Sequence, residues 1–422
     1  MDLSNLSSLG PEALQKMAEV AAAAEQQNQQ PMSIDEEYEL WKSNVPAMYD
    51  FVSETRMTWP SLTLEWLPQH NLVSSRNRQQ MIIGTHTSGE EQNYLKVGAV
   101  DLPDEIVQAT KENSSEADDG EFPIANVKII KKFPHEEEIT RARYMPADDN
   151  IIATINGSGK MFIYDRSKDS EEGLLSTLSY HTENGYGLSF NPLEENKLLS
   201  GSDDSNVAIW DISRFEKDIK PLFTIEAAHN DIVNDVKWHM FDSNIFGTVA
   251  EDSTMKLFDQ RSQKETISVT SKQAYNTLAF SPFARNLFAA AGTENLVYLY
   301  DMRNTAQPLY AMTGHEDAVT SLEFDPSNDG IIVSAGADRR VIVWDIEEIG
   351  AEQQQDELED GAPEILMIHA GHRSAINDIS INPNIPWLTA STEEENIVQV
   401  WKCSSNIPRI GGAPNVDLSI LS

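Results

Sequence analysis

Histidine, aspartate and tryptophan recur at constant separations in this chain, and a histidine beside a carboxylate is a common source of general acid–base chemistry. Two sets with identical separations show the pattern: His181, Asp204 and Trp210, then His315, Asp338 and Trp344. An enzyme needs one active site, whereas these residues return in segment after segment. The repetition therefore favours a structural role, because a buried carboxylate is stable only when it is paired.

The histidines mark the starts of segments of equal length. Counting thirty residues from a histidine leads to the segment end in five cases: His135 to Asp165, His181 to Asp211, His229 to Asp259, His315 to Asp345 and His372 to Lys402. A sixth segment has no histidine and ends at Tyr300 and Asp301. An acid stands six residues before most of the aromatic residues that precede these ends: Asp204, Asp252, Glu294, Asp338 and Glu395. The ends recur at intervals near the 40–45 residues of a four-stranded propeller blade.

Within each segment the composition is that of β-strands separated by turns. Residues 206–210 and 340–344 are rich in β-branched and aromatic side chains, and each stretch follows turn-forming residues. A degenerate unit comes before the regular ones, with strand-like stretches at 62–67, 81–85 and 94–101. The sequence therefore predicts an all-β fold of seven blades, in which radial repetition hides most strand edges. It leaves open which strand closes the ring.

Two pairs of signatures, Gly314-His315 with Trp344-Asp345 and Gly371-His372 with Trp401-Lys402, resemble those of WD-repeat β-propellers. The resemblance implies that histidine, a strand hydroxyl, the turn acid and tryptophan form one structural hydrogen-bonded tetrad per blade. The tetrad residues expected on this basis are His181, Asp204, Trp210, His315, Asp338 and Trp344. No phosphate-binding loop, nucleophile elbow or paired metal-ligand spacing is present in the sequence, so we expect no enzyme, no catalytic residue, no metal and no cofactor.

The charge balance is strongly acidic, with 31 basic and 68 acidic residues and a net charge of −37. This balance argues against direct binding of nucleic acid and favours a basic partner, although acidity also serves solubility. The single cysteine, Cys403, excludes a disulfide framework. The sequence has no long apolar run and no signal-peptide pattern, so we expect a soluble intracellular protein without membrane contact.

The chain divides by composition into a ring and its appendages. We expect a disordered tail at 1–31, an N-terminal helix region at 32–56, a seven-bladed propeller at 57–405 with acidic loops at 104–121 and 350–363, and a C-terminal tail at 406–422.

The first appendage is a predicted α-helix that begins with the capping-box sequence Ser33-Ile34-Asp35-Glu36. Its apolar residues fall on one face: Ile34, Tyr38, Trp41, Val45 and Met48. Pro46 predicts a kink, or a restart near Asn44. We expect this face to dock on the side of the ring and to leave a groove beside the helix.

The second appendage is the loop at 350–363, which carries five acids between Glu352 and Asp360. Such a run repels itself and stays solvated, so it is either an idle loop or a surface for basic groups.

Several longer strings, among them Glu37-Tyr38-Glu39-Leu40-Trp41-Lys42 and Trp59-Pro60-Ser61-Leu62-Thr63, are similar to those of the retinoblastoma-binding, p55-type histone chaperones. The similarity runs from about residue 32 to residue 407. It implies that the first helix of histone H4 binds in the side groove, on these residues: Ala47, Met48, Asp356, Glu357, Glu359, Asp360, Met367 and Ile407. Charge-assisted hydrogen bonds from a basic helix to such acids contribute roughly 1.5–3 kcal/mol each.

The same resemblance implies that the histone H3 tail binds the face around the central channel. The residues expected there are Glu136, Glu137, Glu138, Tyr186, Asp231, Glu251 and Glu316. Three positions, Asn184, Asn234 and Thr320, depart from the family pattern, so this face is less well supported than the groove.

The function implied is a non-catalytic histone H3–H4 binding subunit. The run at 135–138 and the ending at 401–403 are most similar to subunits that present H4 to a type B histone acetyltransferase, with its catalytic subunit as a further partner in nucleus and cytoplasm. Two alternatives stay open. One is a subunit of a chromatin assembly factor or histone deacetylase complex. The other is a ubiquitin-ligase substrate receptor, suggested by the aspartate-x-arginine ends at 259–261 and 301–303.

Overall fold

Short turns rich in Asp, Ser, Asn and Gly connect the strands of this chain, so each strand pairs with the next one in sequence. The structure, a computed structural model, describes residues 32–68, 77–107, 125–353 and 361–407. Within these residues the strands form seven sheets, and the chain is a seven-bladed β-propeller with one helix near its N-terminus. The predicted fold class is confirmed. The tail expected at 1–31 lies outside the described residues.

The first three blades contain the strands up to Ile225. Blade 1 consists of β2 (Leu64–Trp66), β3 (Arg78–Ile83), β4 (Asn93–Asp101) and β5 (Lys128–His135). Blade 2 consists of β6 (Ile139–Met145), β7 (Asp148–Asn156), β8 (Met161–Asp165) and β9 (Leu174–Leu178). Blade 3 consists of β10 (Gly185–Phe190), β11 (Lys197–Ser202), β12 (Val207–Asp211) and β14 (Phe223–Ile225), while β13 (Asp218–Ile219) adds to β9 in parallel.

The remaining blades follow the same order from the channel outwards. Blade 4 consists of β15 (Val233–Trp238), β16 (Ile245–Ala250), β17 (Thr254–Asp259) and β18 (Lys264–Thr270). Blade 5 consists of β19 (Tyr275–Phe280), β20 (Leu287–Gly292), β21 (Leu296–Asp301) and β22 (Tyr310–Thr313). Blade 6 consists of β23 (Val319–Phe324), β24 (Ile331–Gly336), β25 (Val341–Asp345) and β26 (Ile365–His369). Blade 7 contains β27 (Ile376–Ile381), β28 (Leu388–Glu393) and β29 (Ile397–Cys403).

The outer strand of blade 7 comes from the other end of the chain. Strand β1 (Tyr49–Arg56) pairs antiparallel with β29, with Val52 opposite Trp401, and this pairing closes the ring. The propeller therefore begins at Tyr49, and the predicted boundary at residue 57 is wrong. The boundary was misplaced because strand β1 follows helix α1 directly, with no turn-forming residues between them.

Three helical segments accompany the strands in the described residues. They are α1 (Ile34–Met48), α2 (Asp104–Val107) and the 3₁₀ helix η1 (Ile346–Glu348). Helix α2 opens the predicted acidic loop at 104–121, of which residues 108–121 lie outside the described residues. No helix among the described residues is long and apolar enough to span a membrane.

The core lies between neighbouring blades rather than inside any one of them. One cluster, for example, packs Leu299 and Met312 of blade 5 against Leu322 and Trp344 of blade 6. A single sheet exposes two faces and buries neither, so the blades gain stability from stacking around the ring.

The repeated histidines form the tetrads that the sequence predicted. In blade 6, His315 Nδ1 lies 2.9 Å from Asp338, His315 Nε2 lies 2.7 Å from Ser334 Oγ, and the Trp344 indole N–H donates to that same oxygen over 2.8 Å. Blade 3 repeats the arrangement with His181, Asp204, Ser200 and Trp210. A neutral imidazole gives every group a partner: tryptophan donates to serine, serine to Nε2, and Nδ1–H to the carboxylate.

The acid of the last tetrad differs from the prediction. His372 Nδ1 lies 2.9 Å from Glu393, whereas Glu395, the predicted acid, is exposed. Glutamate is one methylene longer than aspartate, so it reaches the imidazole from the end of β28 instead of from the turn. In blade 5, which lacks the histidine, Ser271 stands in its place and donates to Glu294 over 3.4 Å.

We predict that Ser334→Ala destabilises the protein by about 2–4 kcal/mol, because it leaves the buried Trp344 N–H and His315 Nε2 without a partner. Chemical denaturation measures this change. Ser327→Ala, at an exposed serine of the same blade, is the control and should leave the free energy of unfolding unchanged. Equal stability of the two variants would contradict the proposed role of the tetrad.

Candidate functional site

Helix α1 begins with the predicted capping box. The Glu36 N–H donates to Ser33 Oγ over 3.4 Å, and the Ser33 N–H donates to the Glu36 carboxylate over 2.9 Å. The helix continues through Pro46 to Met48, so the alternative of a restart near Asn44 does not occur. Pro46 and Lys42 are both exposed, and water can serve the carbonyl of Lys42 that the proline leaves without a donor.

A chain of hydrogen bonds holds α1 on the ring between blades 6 and 7. The Trp41 indole N–H donates to the Tyr49 hydroxyl over 2.9 Å. The same hydroxyl lies 2.8 Å from His369 Nδ1. His369 Nε2 in turn lies 2.8 Å from the side-chain oxygen of Gln399 in β29. Burial, reinforced by the neighbouring His372, holds the pKa of His369 well below its usual range. The imidazole is therefore neutral, with Nε2–H donating and Nδ1 accepting.

Contacts at the N-terminal half of α1 complete the docking. Arg339 makes a 2.6 Å ion pair with Glu37, and the Arg373 guanidinium lies 3.8 Å from the centre of the Tyr38 ring. Gly371 allows the close approach, because a Cβ at this position would lie 2.6 Å from the Trp41 ring. The apolar face predicted from the sequence is thus the docking face, except for Ile34, which is exposed.

A groove runs along the other side of α1, between the helix and strand β26. It encloses about 480 Å³. Its lining residues are Met32, Glu37, Leu40, Trp41, Asn44, Ala47, Met48, Tyr49, Arg340, Ile368 and Ala370. Leu40 is half exposed although it is large and apolar. An exposed apolar concavity of this kind marks a binding surface.

The structure assembles part of the predicted groove. Ala47 and Met48 line it, as predicted. Met367 is only 2% exposed and packs beneath α1, so Ile368, the next residue along β26, offers its side chain to the groove instead. Ile407 packs against the same core cluster as Met367. The four predicted acids lie outside the described residues: Asp356, Glu357, Glu359 and Asp360.

The described ends of the acidic loop lie close together, just before strand β26 in sequence. The side-chain amide of Gln353 donates to the carbonyl of Gly361 over 3.0 Å, so the loop leaves and returns at one place. The chain then enters β26 at Ile365, three residues before Ile368. The described ends of the loop therefore precede a strand that lines the groove.

Sequence analysis missed several lining residues. Two of them, Leu40 and Asn44, precede the predicted Ala47 at steps of four and three along α1, beside the buried stripe. This second stripe was readable from the sequence. Ile368 and Arg340 come from β26 and the turn before β25, and only the ring brings them to the helix.

The mouth of the central channel, on the face of the histidine loops, forms a second concavity of about 290 Å³. Six of its lining residues stand five positions after the histidine site of their blade: Thr140, Tyr186, Asn234, Asn276, Thr320 and Asn377. Leu62 of blade 1 completes the ring of contributors. Repetition alone thus places one side chain from each blade around this mouth.

The residues predicted for this face divide into two groups. Tyr186 lines the mouth, Glu138 lies close enough to affect its ionisation, and Glu251 accepts a 3.1 Å hydrogen bond from Asn234. Burial raises the pKa of the Tyr186 hydroxyl, with Asp203 and Glu138 adding to the effect. The other predicted acids are either paired or exposed. Glu136 pairs with Lys160 and Glu316 pairs with Arg340, while Glu137 and Asp231 are exposed.

Asp203 is an acid at this mouth that sequence analysis assigned only to a turn. Its Oδ2 accepts from Asn184 over 3.1 Å, while its buried Oδ1 has no hydrogen-bond partner among the described residues. Burial raises the pKa of this carboxyl group, and Glu183, Asp204 and Glu251 add to the increase. A carboxylate group this close to Tyr186 adds negative charge to the face, which favours a cationic partner.

Deeper in the channel, charged side chains cross-link the innermost strands. Asp378 contacts both Arg141 and Arg143, at 3.2 and 3.3 Å. Glu65 accepts from the Tyr144 N–H over 2.8 Å, and Glu323 accepts from the Ile381 N–H over 3.0 Å. Each of these glutamates thus accepts a hydrogen bond from a backbone N–H on the innermost strand of the next blade, so that this N–H has a partner although it is not paired within its own sheet.

Burial also changes the acidity of these two glutamates. It raises the pKa of Glu65 to about 8 and that of Glu323 to about 7, although the Arg143 charge opposes the increase in both cases. Both groups therefore hold protons at pH values where an exposed glutamate has lost them.

Catalytic and metal chemistry find little support among the described residues. The histidine–acid pairs recur in several blades and are buried. No group of three or more His, Cys, Asp or Glu side chains in the described part of the chain is arranged to hold a metal ion.

The fold and the groove define a class: a WD-repeat propeller with a helix-bordered binding groove on its side. Residues 36–104 match the family described as histone-binding protein RBBP4 or a subunit of the CAF1 complex. Residues 173–211, 219–259, 306–345 and 363–402 match the WD domain, G-beta repeat.

Relatives from several yeasts match along nearly the whole chain. Histone acetyltransferase type B subunit 2 of Candida glabrata is 71% identical, over 98% of this chain and 99% of its own. The protein of the same name from Eremothecium gossypii is 53% identical, over 93% and 90%. That of Candida albicans is 40% identical, over 94% and 99%. The chain belongs to this family of histone-binding WD-repeat proteins.

We predict that the double variant Glu65→Gln/Glu323→Gln loses less stability with rising pH than the wild type. Between about pH 4.5 and 8 the folded protein holds protons that the unfolded chain has released, so wild-type stability falls through this window. The Glu65 contribution is on the order of 1 kcal/mol per pH unit. Chemical denaturation at pH 5.5 and 7.5 measures the difference.

The control for this experiment is a double substitution at exposed acids, Glu171→Gln/Glu195→Gln, which should keep the wild-type pH dependence. If the channel variant and the wild type lose stability in parallel, the two buried glutamates do not hold protons in the folded state.

Proposed function

We propose that this protein is the non-catalytic histone-binding subunit of a type B histone acetyltransferase, and that the first helix of histone H4 lies in the groove beside α1. The observation that carries the proposal is the apolar groove of about 480 Å³, which is lined by a strand that follows the acidic loop in sequence. The names of the relatives and the histone-binding family match support it.

The groove suits an amphipathic basic helix. Leu40, Ala47 and Ile368 offer apolar contacts spaced along one wall and the floor, as in other helix-in-groove complexes. The loop at 350–363 and the net charge of −37 attract a cationic partner and speed its association. Because α1 is fixed by its hydrogen bonds to the ring, little conformational entropy is lost when the partner binds.

The protein would supply binding and no chemistry. The repeated acid–base pairs of the described residues belong to buried tetrads. Catalysis would therefore come from another chain of the acetyltransferase for which the relatives are named. Holding H4 by its first helix leaves the preceding N-terminal tail free for modification. We propose that the protein acts in both nucleus and cytoplasm, which imaging of a fluorescent fusion at native expression tests.

A second complex in the same class has a specific observation in its favour. The family match names a subunit of the CAF1 complex, so the same histone groove also fits a chromatin assembly factor. The ubiquitin-ligase alternative is weaker, because Arg261 and Arg303 each fold back onto the aspartate two residues before them, at 2.6 and 2.8 Å. Their common role in the structure is to close a turn.

We predict that Leu40→Ser weakens binding of a peptide of the first H4 helix about ten-fold or more, because the peptide loses an apolar contact worth about 1.5 kcal/mol or more. Isothermal titration calorimetry measures the affinity. Lys42→Ser changes an exposed residue on the side of α1 away from the groove and should bind as wild type. The groove assignment fails if the two variants bind with equal affinity.

We also propose that the channel mouth binds the H3 tail. Here Asp203→Asn should weaken the binding of an H3 N-terminal peptide roughly five-fold or more, because one charge-assisted hydrogen bond is lost. Fluorescence anisotropy measures it, with Glu171→Gln, an exposed acid between the outer strands of blade 2, as control. An unchanged affinity in Asp203→Asn would remove the H3 tail from this face.

A further inference from the structure

The same turn follows the innermost strand in five consecutive blades. In each, one capping side chain accepts hydrogen bonds from the two backbone N–H groups that lie two and three residues later. The capping residues are Asn191, His239, Ser281, Asp325 and Asn382. The distances lie between 2.7 and 3.1 Å. The turn therefore holds a rigid shape in all five blades.

The residue two positions after the cap is exposed in each turn, and its type differs between blades. It is Leu193, Phe241 and Phe283 in blades 3, 4 and 5, with exposures of 54%, 38% and 40%. In blades 6 and 7 the same position holds the polar residues Ser327 and Asn384. Because the turn of blade 6 forms equally well with an exposed serine, folding does not explain three exposed apolar side chains in a row.

The three apolar turns are fixed to one another. The Asn191 side-chain amide donates to the carbonyl of Ser243 over 2.9 Å, which ties blade 3 to blade 4. His239 Nε2 lies 2.8 Å from the carbonyl of Arg285, which ties blade 4 to blade 5. Met240, also exposed, lies beside Phe241 and extends to the wall of the channel mouth on this face. We call Leu193, Met240, Phe241 and Phe283 the turn surface.

Arginines border the turn surface. Arg261, Arg285 and Arg303 form ion pairs with Asp259, Asp242 and Asp301, at 2.6, 3.8 and 2.8 Å. In every pair the arginine is the more exposed partner, as with the Arg261 side chain at 63% and that of Asp259 at 16%. The guanidinium groups are therefore the more accessible members of these ion pairs, in a protein whose net charge is −37.

We propose that the turn surface and its arginines form a docking site for a non-histone protein, on a segment that alternates apolar and acidic side chains. Apolar residues of that segment cover Leu193, Phe241 and Phe283, and its carboxylates bind the outward guanidinium groups. Arginine binds carboxylates in a planar, two-point geometry, which gives such a contact direction as well as strength.

The position of this site separates its partner from the histones. The turn surface follows the ends of the innermost strands, whereas the histidine loops and the proposed H3 site precede their starts. Histones are rich in lysine and arginine, so they offer few of the carboxylates that the exposed guanidinium groups of this surface would bind. The protein can therefore hold histones and a second protein at the same time.

The test places a photo-cross-linking residue, p-benzoylphenylalanine, at position 283 of the full chain expressed in yeast cells, followed by ultraviolet exposure and mass spectrometry of the cross-linked peptide. The same residue at position 327, the matched turn of blade 6, is the control. We expect a cross-link to one non-histone segment that contains apolar and acidic residues, at least ten-fold above the control. Cross-links to histones, to a second copy of this chain, or at control level would overturn the proposal.

A second experiment checks function in the intact complex. The triple variant Leu193→Ser/Phe241→Ser/Phe283→Ser gives these turns the residue type that blade 6 already uses, so the fold should remain. Unchanged thermal stability and H4-peptide affinity verify this. Affinity purification should then recover the cross-linked partner at least ten-fold less than with wild type, and Arg261→Glu/Arg303→Glu should reduce it as well. Full recovery in the triple variant would contradict the docking site.

Discussion

The antiparallel pairing of β1 with β29 is the interaction on which the rest of the structure depends. It joins the two ends of the ring, so every blade gains a neighbour on both sides and buries both of its faces. The same pairing fixes the point at which α1 ends, because Tyr49 is both the first residue of β1 and the centre of the hydrogen bonds to Trp41 and His369. Closing the ring and building the groove are therefore one event, and the groove cannot form while β1 is free.

Repetition gives this protein stability, and departures from repetition give it sites. The tetrads, the capped turns and the inter-blade hydrogen bonds recur with small changes, and each satisfies polar groups that the ring has buried. The groove appears where a helix and a long loop interrupt the pattern around blades 6 and 7. The turn surface appears where three turns keep the backbone of the repeat and replace its polar side chain. In both places the scaffold is rigid, so little conformational entropy is lost when a partner binds.

Charge separates these surfaces. The channel interior carries paired acids and bases, and burial raises the pKa of Glu65 and Glu323 so that part of the negative charge is neutralised by protons. Strand β26, which lines the groove, follows the acidic loop in sequence, whereas three arginines around the turn surface are the more exposed members of their ion pairs. A protein of net charge −37 thus offers basic partners one side and acidic partners another, which sets their orientation before any close contact forms.

The sequence by itself determined the number of blades, the tetrads and the start of α1, because these depend on local spacing: a thirty-residue interval, a strand alternation and a capping box. It also indicated the docking face of the helix. It misplaced the last tetrad acid, the ring boundary and Met367, since each depends on which residue of a strand faces its neighbour or on a pairing between the two ends of the chain. Only the tertiary structure brought Arg340 and Ile368 to α1, or set Leu193, Phe241 and Phe283 side by side, because residues that lie far apart in sequence meet only when the ring closes.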